Sequence, residues 1–208
     1  MTKEVIVKKW PVLFILLILM LFIVTIIPIH ALAGAPLDTV KSNVNGLLDV
    51  LRDPKLQGES GKKVKTAKIE AAADKLFDYV ELSKRTLGLN WNKFSTDQRK
   101  EFVELYRTIL KDAYVDKITS YTNQQVNFTK EVPLSETTVE VQSVIVSKGG
   151  ETPIYFRVMK KGTDWKVYDV VIEGVSLISN YSTQFREILA NNPPEKVIET
   201  LRKKTGNK

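Results

Sequence analysis

The sequence predicts an α+β domain, a twisted antiparallel sheet of about four strands packed with several helices. Three observations predict it. Up to Tyr121 the apolar residues recur at helical spacing; from Gln125 to Ile172 β-branched and aromatic residues come in four short runs; after Glu173-Gly174 the period returns from two to about 3.6. Pro133, Gly149-Gly150 and Gly162-Thr163 separate the runs, and connections this short favour antiparallel neighbours.

The helical half begins with Leu37, Val40, Val44, Leu47, Leu48 and Leu51, one apolar stripe that Asp53-Pro54 ends, because a proline disfavours helical geometry in the residue before it. Gly58-Glu-Ser-Gly-Lys-Lys63 has the composition of a phosphate loop but the wrong spacing, and no Ser or Thr follows Lys62, so it is read as a plain loop. Lys62 to Leu87 is rich in Ala, Lys and Glu, with a break expected near Phe77-Asp78 and a stop at Gly88. Ser95 and Gln98 form a capping box for a long helix from Thr96 to about Tyr121. Its apolar sector is wider than a surface helix needs. Either two layers grip it or part of it lines an apolar ligand cavity, and periodicity alone does not separate the two.

The strands are expected at Gln125 to Glu131, Thr138 to Ser147, Ile154 to Lys160 and Asp164 to Ile172. Strict alternation in the last puts Trp165, Val167, Asp169 and Val171 on one side and Lys166, Tyr168, Val170 and Ile172 on the other. After Gly174, Val175, Ile178, Tyr181, Phe185 and Ile188 share one helical face. A short helix with Val197, Ile198 and Leu201 and a basic tail follow Pro193-Pro194.

Composition excludes several chemistries. The chain has 208 residues, no cysteine and one histidine, His30, which lies in a segment expected to be removed. Without His or Cys there are no Ser-His-Asp or Cys-His nucleophilic sites and no usual zinc constellation, and no cofactor is expected. Lys3, Lys8 and Lys9, an apolar run from Val12 to Ile27 and Ala31-Leu-Ala33 make residues 1–33 a signal peptide, with residues 34–208 as a single domain; an uncleaved inner-membrane anchor is the alternative. Cleavage lowers the net charge from +7 to +5. Short basic pairs without interleaved exposed aromatics argue against nucleic acid. Asn127-Phe-Thr129 and Asn180-Tyr-Ser182 match a glycosylation pattern to which no role is assigned. Asp169 and Glu173 invite a carboxylate-dependent hydrolase; salt links to Arg157 or Lys166 that fix the strand-to-helix corner are the favoured reading.

Two blocks carry a family resemblance. Asp169-Val-Val-Ile-Glu-Gly-Val-Ser-Leu177 continues to Asn180-Tyr181 and Gln184-Phe185, with Trp165 and Tyr168 before it. Phe77-Asp78-Tyr-Val-Glu-Leu-Ser-Lys-Arg-Thr-Leu-Gly88 precedes Trp91, Ser95-Thr-Asp-Gln-Arg99 and Phe102. The chain thereby resembles the periplasmic phospholipid carriers of the Mla pathway, also called the toluene-tolerance auxiliary family. The resemblance implies a monomeric, non-catalytic periplasmic carrier that encloses phospholipid acyl tails between sheet and helices. It also implies exchange between an inner-membrane transporter complex, through its MCE-domain subunit, and an outer-membrane lipoprotein complex, contributing to outer-membrane lipid asymmetry. A hopanoid-like ligand, or a non-catalytic envelope interaction module, is the alternative. Two acyl chains of roughly 30 methylenes at ~0.8 kcal/mol each carry on the order of 25 kcal/mol of transfer free energy, so a deep enclosure and not a surface groove is required to match a bilayer. Its walls are expected from the Thr96–Tyr121 helix, strands two to four and the helix after Gly174, with Tyr106, Ile109, Val141, Val158, Val171, Val175, Ile178 and Tyr181 as the lipid-binding residues.

Overall fold

The computed structural model describes residues 35–119, 121 and 124–206. The expected leader at residues 1–33, with its reading as an anchor, lies outside the described residues. Among those described, no helix is long and apolar enough to cross a membrane.

Helix α1, Ala35–Arg52, buries Val40 and Leu51. Asp53 caps the 3-10 turn Pro54–Leu56 by accepting from the Lys55 N–H. Helix α2, Glu59–Leu76, starts inside the segment expected as a loop. Gly61 is buried there so tightly that a Cβ would stand 2.6 Å from the Leu56 backbone, a packing reason for the glycine in place of a phosphate-binding one. The expected break falls at Phe77-Asp78, where the chain touches the sheet: the Asp78 N–H donates to the Val167 carbonyl at 2.9 Å. The Asp78 side chain accepts from the Glu81 N–H and so starts helix α3, Tyr79–Leu87. A 3-10 stretch, Gly88–Lys93, leads to helix α4, Thr96–Thr119, whose capping box forms in both directions between Ser95 and Gln98.

The sheet is a five-stranded antiparallel meander: β1 Gln125–Pro133, β2 Thr138–Ser147, β3 Gly150–Lys161, β4 Asp164–Ile172 and a two-residue β5, Val175–Ser176. The fifth strand is an addition to the four expected. It arises because Glu173 and Gly174, both with positive φ (50° and 82°), turn the chain back on β4 before the helix begins. Helix α5 is therefore Leu177–Asn191, capped by Ser176, and Val175 is a strand residue, 58% exposed. Helix α6, Pro194–Lys204, closes the chain.

The registers divide the sheet into two faces. On the inner face Val139, Val141, Ser143 and Ile145 of β2 oppose Val158, Phe156, Ile154 and Thr152 of β3. Between Arg157 and Val158 the pairing with β4 slips by one: Arg157 faces Asp169, Val158 faces Val167, and Tyr168 is the extra residue. This bulge reverses the alternation. Trp165 and Val167 share the inner face with Val170 and Ile172, whereas Asp169 and Val171 fall outside, correcting the strict two-residue expectation.

Two apolar clusters result. One is built from α3 to α6 around Phe102, Tyr106, Phe185 and Leu201, with ring centroids 5.3–5.6 Å apart among the three aromatics. The other lies between α1 and the inner face of the sheet, around Val40, Val141, Val158 and Val167. Phe77 and Tyr114 pack against both.

Candidate functional site: an apolar cavity under the sheet

A cavity of about 500 Å³ opens between the inner face of the sheet and helices α1, α2 and α4. Helix α1 contributes Val44, Leu47, Leu48 and Leu51; α2 contributes Ile69, Ala72, Ala73 and Leu76; α4 contributes Leu110, Tyr114 and Ile118. The sheet supplies Val126, Ile145, Ile154, Phe156, Val170 and Ile172. Local pattern explains each wall. The α1 stripe repeats at three and four residues, the small Ala72 and Ala73 leave space where larger side chains would fill it, and the Tyr168 bulge turns Val170 and Ile172 inward. The volume lies within the roughly 300–1,000 Å³ of small-ligand sites.

Charges stand where α2 meets α4. Arg107 Nε and Nη2 donate to Asp74 Oδ1 and Oδ2 at 2.8 and 2.5 Å, and Lys111 Nζ lies 3.6 Å from Glu70 Oε1. All four side chains also border the cavity. Tyr79 packs beneath them, and its burial, with Asp74 nearby, pushes its phenol up to about 12. Burial likewise raises the Tyr114 phenol. Both stay protonated and uncharged at neutral pH, as an apolar wall requires.

None of the eight residues expected to bind lipid lines this cavity. Tyr106 is wholly buried in the aromatic cluster, Tyr181 packs on it with centroids 5.1 Å apart, and Ile109 packs against the same cluster. Val141 and Val158 are on the correct face but 0% exposed, in solid core beyond the cavity. Val171 is turned outward by the bulge and pairs with Ser176. Val175 is on the surface, and the backbone N–H of Ile178 donates to Asp169 Oδ1 at 3.1 Å at the outer corner. The expected walls from α4 and strands two to four are present, but α5 contributes only Leu177. Helices α1 and α2 take its place. The unbroken stripe of α1 and the paired alanines of α2 were the signals for them.

Asp169 has a structural post. Its carboxylate, 1% exposed, accepts from Arg157 Nη1 at 3.1 Å, Ser176 Oγ at 2.7 Å and the Ile178 N–H, while Arg157 Nε also reaches Glu140 at 3.0 Å. This ties the outer face of the sheet to the first turn of α5. Glu173 stands on the cavity side, so the two carboxylates do not share a site. Lys166 donates to the Lys75 carbonyl at 2.6 Å and takes no part in the Asp169 corner.

Comparison with known proteins agrees with this architecture. A solved structure of a phospholipid-binding protein from Ralstonia solanacearum, in complex with a phospholipid, superposes with a TM-score of 0.74 over 84% of this chain and 98% of that one. At 24% identity the likeness is one of fold. The intermembrane phospholipid transport system binding protein MlaC of Haemophilus influenzae is 30% identical over 113 residues, which is 50% of this chain and 53% of that protein. The match thus spans about half the length of that relative. The model of the family described as "MlaC protein" matches residues 41–203, from within α1 to the last turn of α6. That span takes in every wall of the cavity, and the chain belongs to the MlaC family.

Proposed function

We propose that this protein is a non-catalytic phospholipid carrier of the periplasm, which shields acyl chains and passes lipid between an inner-membrane MCE-domain transporter complex and an outer-membrane lipoprotein complex. In that role it contributes to outer-membrane lipid asymmetry. The single observation that supports the reading most is the cavity of about 500 Å³, apolar on all its major walls, with its lining charges grouped at the seam of α2 and α4 apart from Lys117 and Glu173. Acyl chains need a wall without unpaired polar groups, because each such group facing hydrocarbon costs free energy and each methylene sheltered from water gains ~0.8 kcal/mol. The two relatives, one solved in complex with a phospholipid and the other the binding protein of an intermembrane phospholipid transport system, support the ligand class.

The site residues follow the cavity: Leu47, Leu51, Ala73, Tyr114, Phe156 and Val170 are proposed as principal acyl contacts. The confinement of Asp169 to a structural corner favours a carrier over a hydrolase. Mass spectrometry of an organic extract of the purified protein tests the reading. Phospholipid in near-stoichiometric amount is expected; protein that is folded and carries none would sink the proposal.

A further inference from the structure

A second hollow, of about 310 Å³, adjoins the first. The two share Asp74, Phe77, Tyr79 and Arg107, and Phe77 and Tyr79 stack on each other with centroids 5.7 Å apart. Beyond these, Val80 and Val103 add apolar wall, and Lys161, Lys166, Asp78 and Glu104 add charges. With Arg107 and Asp74, three cations and three carboxylates border one small space, and their formal charges cancel.

These charges are not equally satisfied. Arg107 is held bidentate by Asp74, and Lys161 is bonded to Asp78. The ammonium of Lys166 instead bonds a neutral carbonyl, that of Lys75. Glu104 is 72% exposed and lies 3.8 Å from Arg107 Nη1, a loose ion pair. One cation and one carboxylate therefore border the hollow with capacity for stronger partners.

Resting on the carrier reading, the geometry points to a headgroup subsite in this hollow, selective for a zwitterionic phosphoethanolamine over an anionic phosphoglycerol, with Lys166 toward the phosphate and Glu104 toward the primary ammonium. Phe77 and Tyr79 are then the apolar throat where the headgroup ends and the tails begin. A phosphoglycerol headgroup brings a negative charge without a positive one, leaves Glu104 unmatched and meets the carboxylates as like charges. A primary ammonium offers three N–H donors to them, which a quaternary ammonium lacks.

The test is competition. The protein is incubated with excess vesicles made of equal parts phosphatidylethanolamine and phosphatidylglycerol with identical acyl chains, recovered, and its bound lipid quantified by class. A phosphatidylethanolamine enrichment of about 2- to 5-fold is expected, the range that partly exposed ion pairs supply. Glu104→Gln, an exposed and structurally mild change, should draw the ratio toward that of the vesicles, whereas Lys166→Met, which removes a phosphate partner common to both lipids, should not. Excess inorganic phosphate should leave the wild-type ratio intact. A wild-type ratio equal to that of the vesicles, or an enrichment that Glu104→Gln leaves untouched, overturns the headgroup assignment while total lipid uptake upholds the carrier reading. A ratio that collapses under phosphate reassigns the hollow to phosphate of any source. Uptake of neither lipid overturns the carrier reading and this subsite with it.

Discussion

Asp78 shows how one side chain can serve three elements: it caps α3, bonds Lys161 and sits where the chain joins β4. Burial works against its ionised form, but hydrogen bonds from Lys161 and from the backbone N–H groups of Glu81 and Val80 outweigh that and hold the carboxyl below its ordinary 3.8. A lowered native value means that the unfolded chain binds the proton more readily. The stabilisation is complete above the unfolded value and is lost as pH falls through the native one. Urea midpoints measured from about pH 5 down to about pH 2 should therefore fall more steeply in the wild type than in Asp78→Asn; parallel curves would show that this carboxylate carries no such linkage. Gly61 offers a second test at the same scale. A methyl group there meets backbone and not a flexible side-chain tip, so Gly61→Ala should cost about 1–3 kcal/mol by overpacking, read as a drop in the denaturation midpoint with an unchanged slope. The capping box at Ser95 was legible from residue types alone, because it is a short-range device. The close approach at Gly61 was not, since it depends on a turn that folds back from outside the helix.

At the scale of elements, the sequence revealed most of the fold: the break at Phe77-Asp78 and the bounds of β2 and β4 follow from local periodicity and turn residues. What it could not reveal was the bulge at Tyr168. Alternation is a rule about uninterrupted ladders, and one extra residue exchanges the two faces of everything beyond it. Alternation therefore points to Val171 as the wall residue, whereas Val170 lines the cavity. Helix α5 departs from the expected wall for a related reason: its apolar face is real but is consumed by the aromatic cluster, and periodicity reports burial without saying against what. A matched pair of variants checks the corrected wall. Val170→Asp should place an unpaired carboxylate in the cavity and sharply reduce co-purified lipid. Val175→Asp, at a surface strand residue, should leave the lipid load at the wild-type level. Equal loss in both would show that the effect is not specific to the cavity wall. Ala73→Trp provides a route without buried charge: it fills the hollow with an apolar ring, so lipid should fall while the folded state, followed by near-ultraviolet circular dichroism, persists.

For the molecule as a whole, the expected cleavage near Gly34 decides whether the carrier diffuses or is tethered, and N-terminal sequencing of the protein from envelope fractions should find a chain starting near that residue; an intact apolar leader in the membrane fraction would make it a tethered domain. The division into two apolar clusters has a bearing on such a carrier's working cycle. The aromatic cluster of α3 to α6 is solid, whereas the space beside the sheet is hollow. Any shuttle makes its return journey with nothing aboard, and a protein whose only core was its cargo would melt on every trip. Here Phe102, Tyr106, Phe185 and Leu201 pack together and line no part of the cavity, so that unloading removes a guest from one wing of the building while these contacts under the other stay as they were.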